Sequence, residues 1–186
     1  HAVGFTSLRD DEAARRFAPS FFSNGEFGFP AKCYYRAARD AEGNLHFAYH
    51  PVWEYERNDA GGLMPFLSRI IYTGGLRVQR IMFGKGDVEL ISVTVNPAGK
   101  IIGFEYERPK DYNPKTFTVA HQKVRVEKEF ARLPVLRVAS WNHLFEIADD
   151  NTPSKRSGDR IWRCEPEYFT DELWNEYTMV RLKETP

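Results

Sequence analysis

Residues 84–107 read GKGDVELISVTVNPAGKIIGFEYE, and their pattern predicts a β-hairpin. In the first half, alternate side chains fall on opposite faces of a strand. One face carries Asp87, Glu89, Ile91, Val93 and Val95. The Asn-Pro-Ala-Gly sequence at 96–99 predicts a turn. The returning strand carries Ile102, Phe104 and Tyr106 on one face. If Val95 pairs with Lys100, Glu89 lies opposite Tyr106 and Ile91 lies opposite Phe104.

Asp87 and Glu89 extend the apolar face of this strand with two carboxylates. A carboxylate on the core-facing side costs free energy unless it is paired, hydrogen-bonded or bound to a metal. The Cα atoms of residues i and i+2 in a strand are about 7 Å apart, so the two side chains can share one cation. The alternative is that both lie past the edge of the core, in solvent or paired with Arg or Lys.

Length and composition predict one all-β domain spanning residues 1–186, built as an antiparallel two-sheet β-sandwich with a few short helices. Aromatic residues make up 15% of the chain, which suits such a core, and exposed aromatics can also stack on sugar rings. The formal net charge is zero, which gives no reason to expect a nucleic-acid partner. No apolar run reaches about 18 residues, so we expect no transmembrane segment.

Local signals place the other elements. We expect helices capped by Ser7 or Asp10 and by Thr170, and a short helix within residues 63–72. We expect strands at 2–5, 31–37, 45–55, 76–83, 117–126, 133–140, 161–164 and 178–182, and a helical turn at 127–132.

The chain has two cysteines, Cys33 and Cys164, far apart in sequence. A disulfide between them would fit a secreted protein, whereas two buried thiols would fit a cytoplasmic one. No signal peptide is visible, which leaves a cytosolic chain or one already processed.

Three stretches, taken in order, resemble a known family. Residues 14–22 (ARRFAPSFF) and 25–30 (GEFGFP) resemble the opening pattern of the necrosis-inducing (Nep-like) proteins and their vacuolar-sorting-type relatives. Residues 86–107 resemble the segment around their G-D-W-E motif, and residues 133–143 (LPVLRVASWNH) resemble a later strand with the pattern RPVVYVA-x-x-S-H. Within the family's G-H-R-H-D-W-E heptad only Asp87 and Glu89 match, because residues 83–89 read FGKGDVE.

The resemblance implies a secreted or membrane-associated β-sandwich in which an Asp and a Glu bind a divalent cation. Here Asp87 and Glu89 would be the ligands, with His143 arriving from the later strand. Oxygen ligands with one imidazole suit Ca²⁺, Mg²⁺, Mn²⁺ or Zn²⁺. A chelator should then lower the melting temperature.

Two classes of function follow from this site. The first is a binding protein whose cation bridges the hydroxyls of a glycan or glycolipid head group. Its ligand contacts would come from Tyr106, Trp141, His50 and Lys85. The second is an enzyme acting on a sugar or small organic substrate, with Asp87, Glu89 and His143 as metal ligands or as general acid and base.

Other catalytic patterns are absent or weaker. The sequence has no G-x-S-x-G nucleophile motif, no Cys-His signature and no phosphate loop. A remote alternative is a copper histidine brace, in which His1 binds copper with a second imidazole. The candidates for that imidazole are His46, His50, His121 and His143.

Overall fold

A computed structural model describes residues 3–73, 86–148 and 158–177 of the 186-residue chain. The strands in this part are β1 (Thr6–Leu8), β2 (Ser20–Ser23), β3 (Lys32–Arg39), β4 (Leu45–Trp53), β5 (Asp87–Val88), β6 (Ile91–Val95), β7 (Ile101–Lys110), β8 (Ala120–Val126), β9 (Leu136–Val138), β10 (Phe145–Ile147), β11 (Arg160–Arg163) and β12 (Glu167–Tyr168). The helices are α1 (Asp11–Arg16), α2 (Leu63–Ser68) and α3 (Asp171–Glu176). A π-helical turn, Arg69–Thr73, continues α2.

The strands form two sheets, which confirms the predicted all-β class. The larger sheet has the order β1-β3-β4-β6-β7-β8, and β5 and β12 are added to it by pairing with β4 and β3. The smaller sheet has the order β10-β9-β2-β11. The β2–β9 and β3–β12 pairs are parallel, and the other pairs are antiparallel.

Aromatic side chains join the two sheets. Phe21 of β2 lies 5.9 Å from Trp53 of β4 between ring centroids, and Trp53 lies 6.2 Å from Phe145 of β10. The opposite face of the larger sheet is covered by α3 and the segment before it, where Tyr34 stacks on Phe169 at 4.5 Å. Strands β3 and β4 are therefore buried on both sides over much of their length, whereas β6 and β7 alternate between buried and partly exposed residues.

The predicted hairpin is present, but the predicted pairing of its strands is wrong by two residues. Ile91 lies opposite Tyr106 and Val93 opposite Phe104. The turn holds three residues, 97–99, because the Asn96 N–H donates to the Lys100 carbonyl and Gly99 takes the left-handed conformation (φ 76°). A bulge next to Val95 adds a further residue to the returning strand, so Ile101 rather than Ile102 is buried.

Proline interrupts the strand that carries the two carboxylates. Pro51 of β4 lies opposite Glu89. The Glu89 N–H donates to the Pro51 carbonyl at 3.1 Å, but Pro51 has no N–H to donate back to Glu89. Because proline has no N–H, the ladder breaks and β5 ends before β6 begins. The alternation of side chains nevertheless continues through the break, since β5 and β6 pair with β4 in one register.

Most local predictions hold. Asp10 caps α1 by accepting from the Ala13 N–H, and Thr170 caps α3 by accepting from the Leu173 N–H. The predicted helical turn at 127–132 is wrong, because Phe130 bridges to Ile101 instead. The first strand is Thr6–Leu8 rather than residues 2–5. The predicted strands at 76–83 and 178–182 lie outside the described residues.

Cys33 and Cys164 form a disulfide across 131 residues of sequence, which confirms one of the two predicted alternatives. In the chain-entropy model a loop of this length stabilises the folded state by roughly 4–5 kcal/mol. No helix in the described part of the chain is long and apolar enough to cross a membrane.

Candidate functional site

Asp87 begins the short strand that pairs with the end of β4, directly opposite Trp53. The residue before it is Gly86, and a Cβ atom there would fall well inside contact distance of the Trp53 carbonyl oxygen. Only glycine fits this close approach of two backbones. Gly86 therefore allows the backbone to approach β4 closely enough to place Asp87 beside Trp53.

His143 lies in the tight turn between β9 and β10. Its N–H donates to the Ser140 carbonyl at 3.0 Å, and its own backbone is left-handed, with φ 60°. Left-handed backbone is uncommon in residues other than glycine, and such strain is concentrated at functional sites. The turn directs the imidazole into the space between the two sheets, where His143 is 2% exposed.

Both ring nitrogens of His143 make hydrogen bonds. Nδ1 lies 2.5 Å from Asp87 Oδ2, and Nε2 lies 3.0 Å from the Phe27 carbonyl oxygen. A carbonyl oxygen only accepts, so Nε2 must carry a proton. A second proton is then shared between Nδ1 and the Asp87 carboxyl, and the buried pair is neutral overall in either arrangement.

Trp53 fixes the plane of the His143 ring. The two rings are stacked with centroids 4.3 Å apart and planes inclined by 8°. Trp53 is itself 2% exposed and packs on Phe21. The imidazole is thus held by two hydrogen bonds in its plane and one aromatic face below it.

Glu89 lies on the same face of the strand as Asp87, as the alternation predicts. Asp87 is 6% exposed and Glu89 is 3% exposed, so the alternative of a solvated strand end is wrong for both. Two carboxylates are therefore buried within one face of the larger sheet, and one of them is paired with His143.

This arrangement does not yet form a metal site. Within residues 3–73, 86–148 and 158–177, no group of three or more His, Cys, Asp or Glu side chains is placed to hold a metal ion. Asp87 and Glu89 would supply oxygen ligands, but His143 has no free lone pair while it contacts both Asp87 and Phe27. A cation at Asp87 would compete with His143 for the carboxylate oxygens.

A cavity of about 320 Å³ opens beside the pair. His143, Trp53 and Phe27 line its inner part. Its rim carries the aromatic rings of Phe29 and Tyr55, which are 37% and 41% exposed. The charged rim residues are Glu26, Glu54, Arg57 and Asp59, and Arg57 Nε donates to Asp59 at 2.6 Å. The rim is thus aromatic and net acidic.

The predicted ligand contacts do not gather at this cavity. Tyr106 is 5% exposed, stacks on Phe104 at 5.8 Å, and lies opposite Ile91 rather than Glu89; burial raises the pKa of its phenol. Trp141 is buried in the core at 3% exposure. Neither side chain therefore offers a surface to a ligand.

His50 lies on the wrong face for this site. It alternates with Tyr49 on β4, and its ring packs against Phe169 and Trp174 on the α3 side of the sheet. Lys85 and His1 lie outside the described residues.

A chain of hydrogen bonds supports the turn that carries His143. The Leu144 N–H donates to Ser140 Oγ at 3.2 Å, and Ser140 Oγ donates to Asn142 Oδ1 at 2.7 Å. Asn142 Nδ2 donates to His121 Nε2 at 3.1 Å, and His121 Nδ1 donates to Glu107 at 2.6 Å. The turn is thereby tied to the β7–β8 edge of the larger sheet.

Trp53 and Phe27 are the site residues that sequence reasoning missed. Trp53 could have been found, because it continues the face of β4 that carries Tyr49. Phe27 contributes through its backbone carbonyl, for which no side-chain pattern exists.

Comparison of the chain with protein-family models, with curated proteins and with solved structures finds no match in any of the three.

Proposed function

We propose that this chain is a secreted binding protein that recognises the head group of a glycan or glycolipid in the cavity beside His143. The observation that carries the proposal is the acidic, aromatic rim around a fixed, buried imidazole. A cavity of about 320 Å³ lies within the size range of small-ligand sites. The resemblance to necrosis-inducing-type β-sandwiches agrees with this class of ligand.

The chemistry of the rim favours a polyhydroxylated ligand. Aromatic side chains such as Phe29 and Tyr55 present apolar faces on which the C–H face of a sugar ring can pack. Glu26 and Glu54 add carboxylate oxygens that accept hydrogen bonds from ligand hydroxyls. Secretion is supported by the Cys33–Cys164 disulfide, since such bonds persist in oxidising compartments.

Binding to a panel of immobilised glycans and glycolipid head groups tests this proposal. For any ligand found, we expect Tyr55→Ala and Glu54→Gln each to weaken binding about tenfold, a loss of about 1.4 kcal/mol. Matched controls are Ile161→Ala and Glu165→Gln, which alter exposed residues outside the cavity. Absence of any ligand, or equal losses in the controls, would reject the glycan-binding function.

A second candidate is an enzyme that uses the Asp87–His143 pair as a general acid and base on the same ligands. The buried 2.5 Å contact favours it, because a positioned carboxylate–imidazole pair can hold and release a proton. His143 Nε2 would first have to leave the Phe27 carbonyl. Mass spectrometry of the incubated ligand distinguishes the candidates: turnover that His143→Gln removes without loss of binding indicates an enzyme.

A divalent cation is a separate part of the proposal. Asp87 and Glu89 would be its oxygen ligands, and it would supply a positive charge that bridges ligand hydroxyls. No step of either candidate function above depends on it.

A further inference from the structure

We propose that a second cavity, at the other end of the sandwich, binds the anionic group of a small organic acid between Arg16 and Arg39. This open cavity has a volume of about 330 Å³ and is lined by α1, the β3–β4 turn and the β6–β7 turn. Leu45, the first residue of β4, lines it, whereas Trp53, the last, lines the cavity beside His143. Those two residues are roughly 26 Å apart at the usual strand rise, so the two cavities are separate.

Each of the two guanidinium groups reaches one of two neighbouring turns. Arg39 Nη1 donates to the Gly43 carbonyl at 3.4 Å, and Arg16 Nη2 lies 3.7 Å from where a Cβ atom on Gly99 would be. The turns themselves touch, since a Cβ atom on Gly43 would lie 3.4 Å from Pro97 Cγ. The arginine heads therefore lie around one cavity, not on unrelated surfaces.

Neither arginine has a carboxylate partner within the described part of the chain. Five others, Arg9, Arg36, Arg57, Arg125 and Arg137, each form an ion pair with Asp or Glu. Arg16 instead lies over the Phe17 ring at 5.1 Å, which restricts its side chain. Two cations beside one cavity repel each other, and a bound anion would relieve that repulsion.

Two acidic residues also line the cavity, and they set the strength of the site. Asp10 is occupied in capping α1 through the Ala13 N–H at 2.9 Å. Glu12 is exposed and precedes Arg16 by four residues on α1, a spacing that permits an ion pair. Glu12 therefore competes with an anionic ligand for Arg16.

The lining defines the chemical class of ligand. Guanidinium groups bind carboxylate and phosphate oxygens through paired N–H donors, so either group suits the polar side. Phe17, Leu45 and Val95 give the cavity an apolar part as well. The ligand expected is a carboxylate or phosphate attached to a small apolar body.

Calorimetric titration with phenyl phosphate, benzoate and inorganic phosphate tests the site. At low salt we expect the better of the two organic probes to bind with a Kd on the order of 0.1–1 mM, tighter than inorganic phosphate, which has no apolar body. Tighter binding of phenyl phosphate identifies a phosphate ester as the ligand class, and tighter binding of benzoate identifies a carboxylate. Backbone amide shifts of Gly43 and Gly99 should accompany binding.

Matched variants locate the binding. Arg16→Gln and Arg39→Gln should each weaken it about tenfold, whereas Glu12→Gln should strengthen it by a few-fold. The control is Arg160→Gln, which removes an exposed arginine on β11 and should change nothing. No binding of either organic probe below about 10 mM, or equal loss in the Arg160 variant, overturns the proposal.

Discussion

His143 and Trp53 are stacked face to face, with centroids 4.3 Å apart and ring planes inclined by 8°. They are 90 residues apart in sequence and come from different sheets. Trp53 also lies opposite Asp87 in the β4–β5 pair, and Asp87 contacts His143 at 2.5 Å. One strand pair therefore supplies both the surface and the hydrogen-bond partner of the imidazole, and changes there should propagate to the cavity.

Replacing Asp87 by Asn should destabilise the fold by about 1–3 kcal/mol, because an amide can donate only a neutral hydrogen bond to His143 Nδ1 in place of the stronger carboxyl–imidazole contact. Urea unfolding measures the cost. In a double-mutant cycle with His143→Gln, the coupling energy should be about 1–3 kcal/mol. Additive losses would show that the two residues act independently. Asp59→Asn, in an exposed ion pair, is the control and should cost at most about 1 kcal/mol.

Gly86→Ala should cost several kcal/mol, on the order of 2–4, because the new Cβ would collide with the Trp53 carbonyl oxygen, a backbone atom that cannot rotate away. Thermal unfolding measures the loss. Gly25→Ala is the matched control, since nothing lies within 4 Å of a Cβ there. If the two substitutions cost the same, β4 and β5 do not approach as closely as described.

Ser140→Ala should cost about 1–3 kcal/mol, because it leaves the buried Leu144 N–H without an acceptor and frees Asn142. Asn142→Ala should cost less, and His121→Ala least, since exposure increases along the hydrogen-bond chain. Denaturant titrations give the order. If the order of the three losses in stability is reversed, the turn around His143 is held by its own backbone and not by these side chains. Ser92→Ala, on β6, serves as the control.

Stability at acidic pH should depend on Asp40. The hydrogen bond from His46, followed by those from Asn44, lowers the pKa of Asp40 to about 2 from its ordinary 3.8. A carboxyl group whose pKa is lower in the folded state than in the unfolded state stabilises the fold at pH values above its unfolded-state pKa. That stabilisation is lost as the pH falls through the folded-state pKa. The gap in melting temperature between wild type and Asp40→Asn should thus narrow between about pH 4 and pH 2.

The control for that measurement is Glu42→Gln, which alters an exposed residue in the same turn. The difference in melting temperature between this variant and wild type should not narrow between about pH 4 and pH 2. A gap that stays constant down to pH 2 would contradict the role given to the Asp40–His46 hydrogen bond.

Divalent cations should raise the melting temperature, because Asp87 and Glu89 would supply oxygen ligands to a cation in the folded state. At a hundredfold excess over Kd the gain is about 2.7 kcal/mol. Asp87→Asn with Glu89→Gln should abolish the response. Melting temperatures that ignore Ca²⁺, Mg²⁺, Mn²⁺, Zn²⁺ and chelator alike would remove the cation from the proposed function.

Local pattern determined much of this protein. The alternation from Asp87 to Val95 placed both carboxylates on the core face, and the Asp10 and Thr170 caps located two helices. These features depend on neighbours within a few residues, so a single sequence encodes them directly. The predicted hairpin register was wrong for two reasons: the turn holds three residues instead of four, and a bulge next to Val95, which depends on cross-strand packing, shifts the pairing by one more residue.

The site itself was decided by tertiary structure. His143 meets Asp87 across 56 residues and the Phe27 carbonyl across 116, and Trp53 stacks on it from the other sheet. The sequence named His143 and the two carboxylates, but not the carbonyl, the indole or the hydrogen-bond chain to Glu107. Those contacts are determined by how the two sheets pack on each other. Packing depends on the shapes of side chains and on the distances between residues far apart in sequence, and a local residue pattern specifies neither.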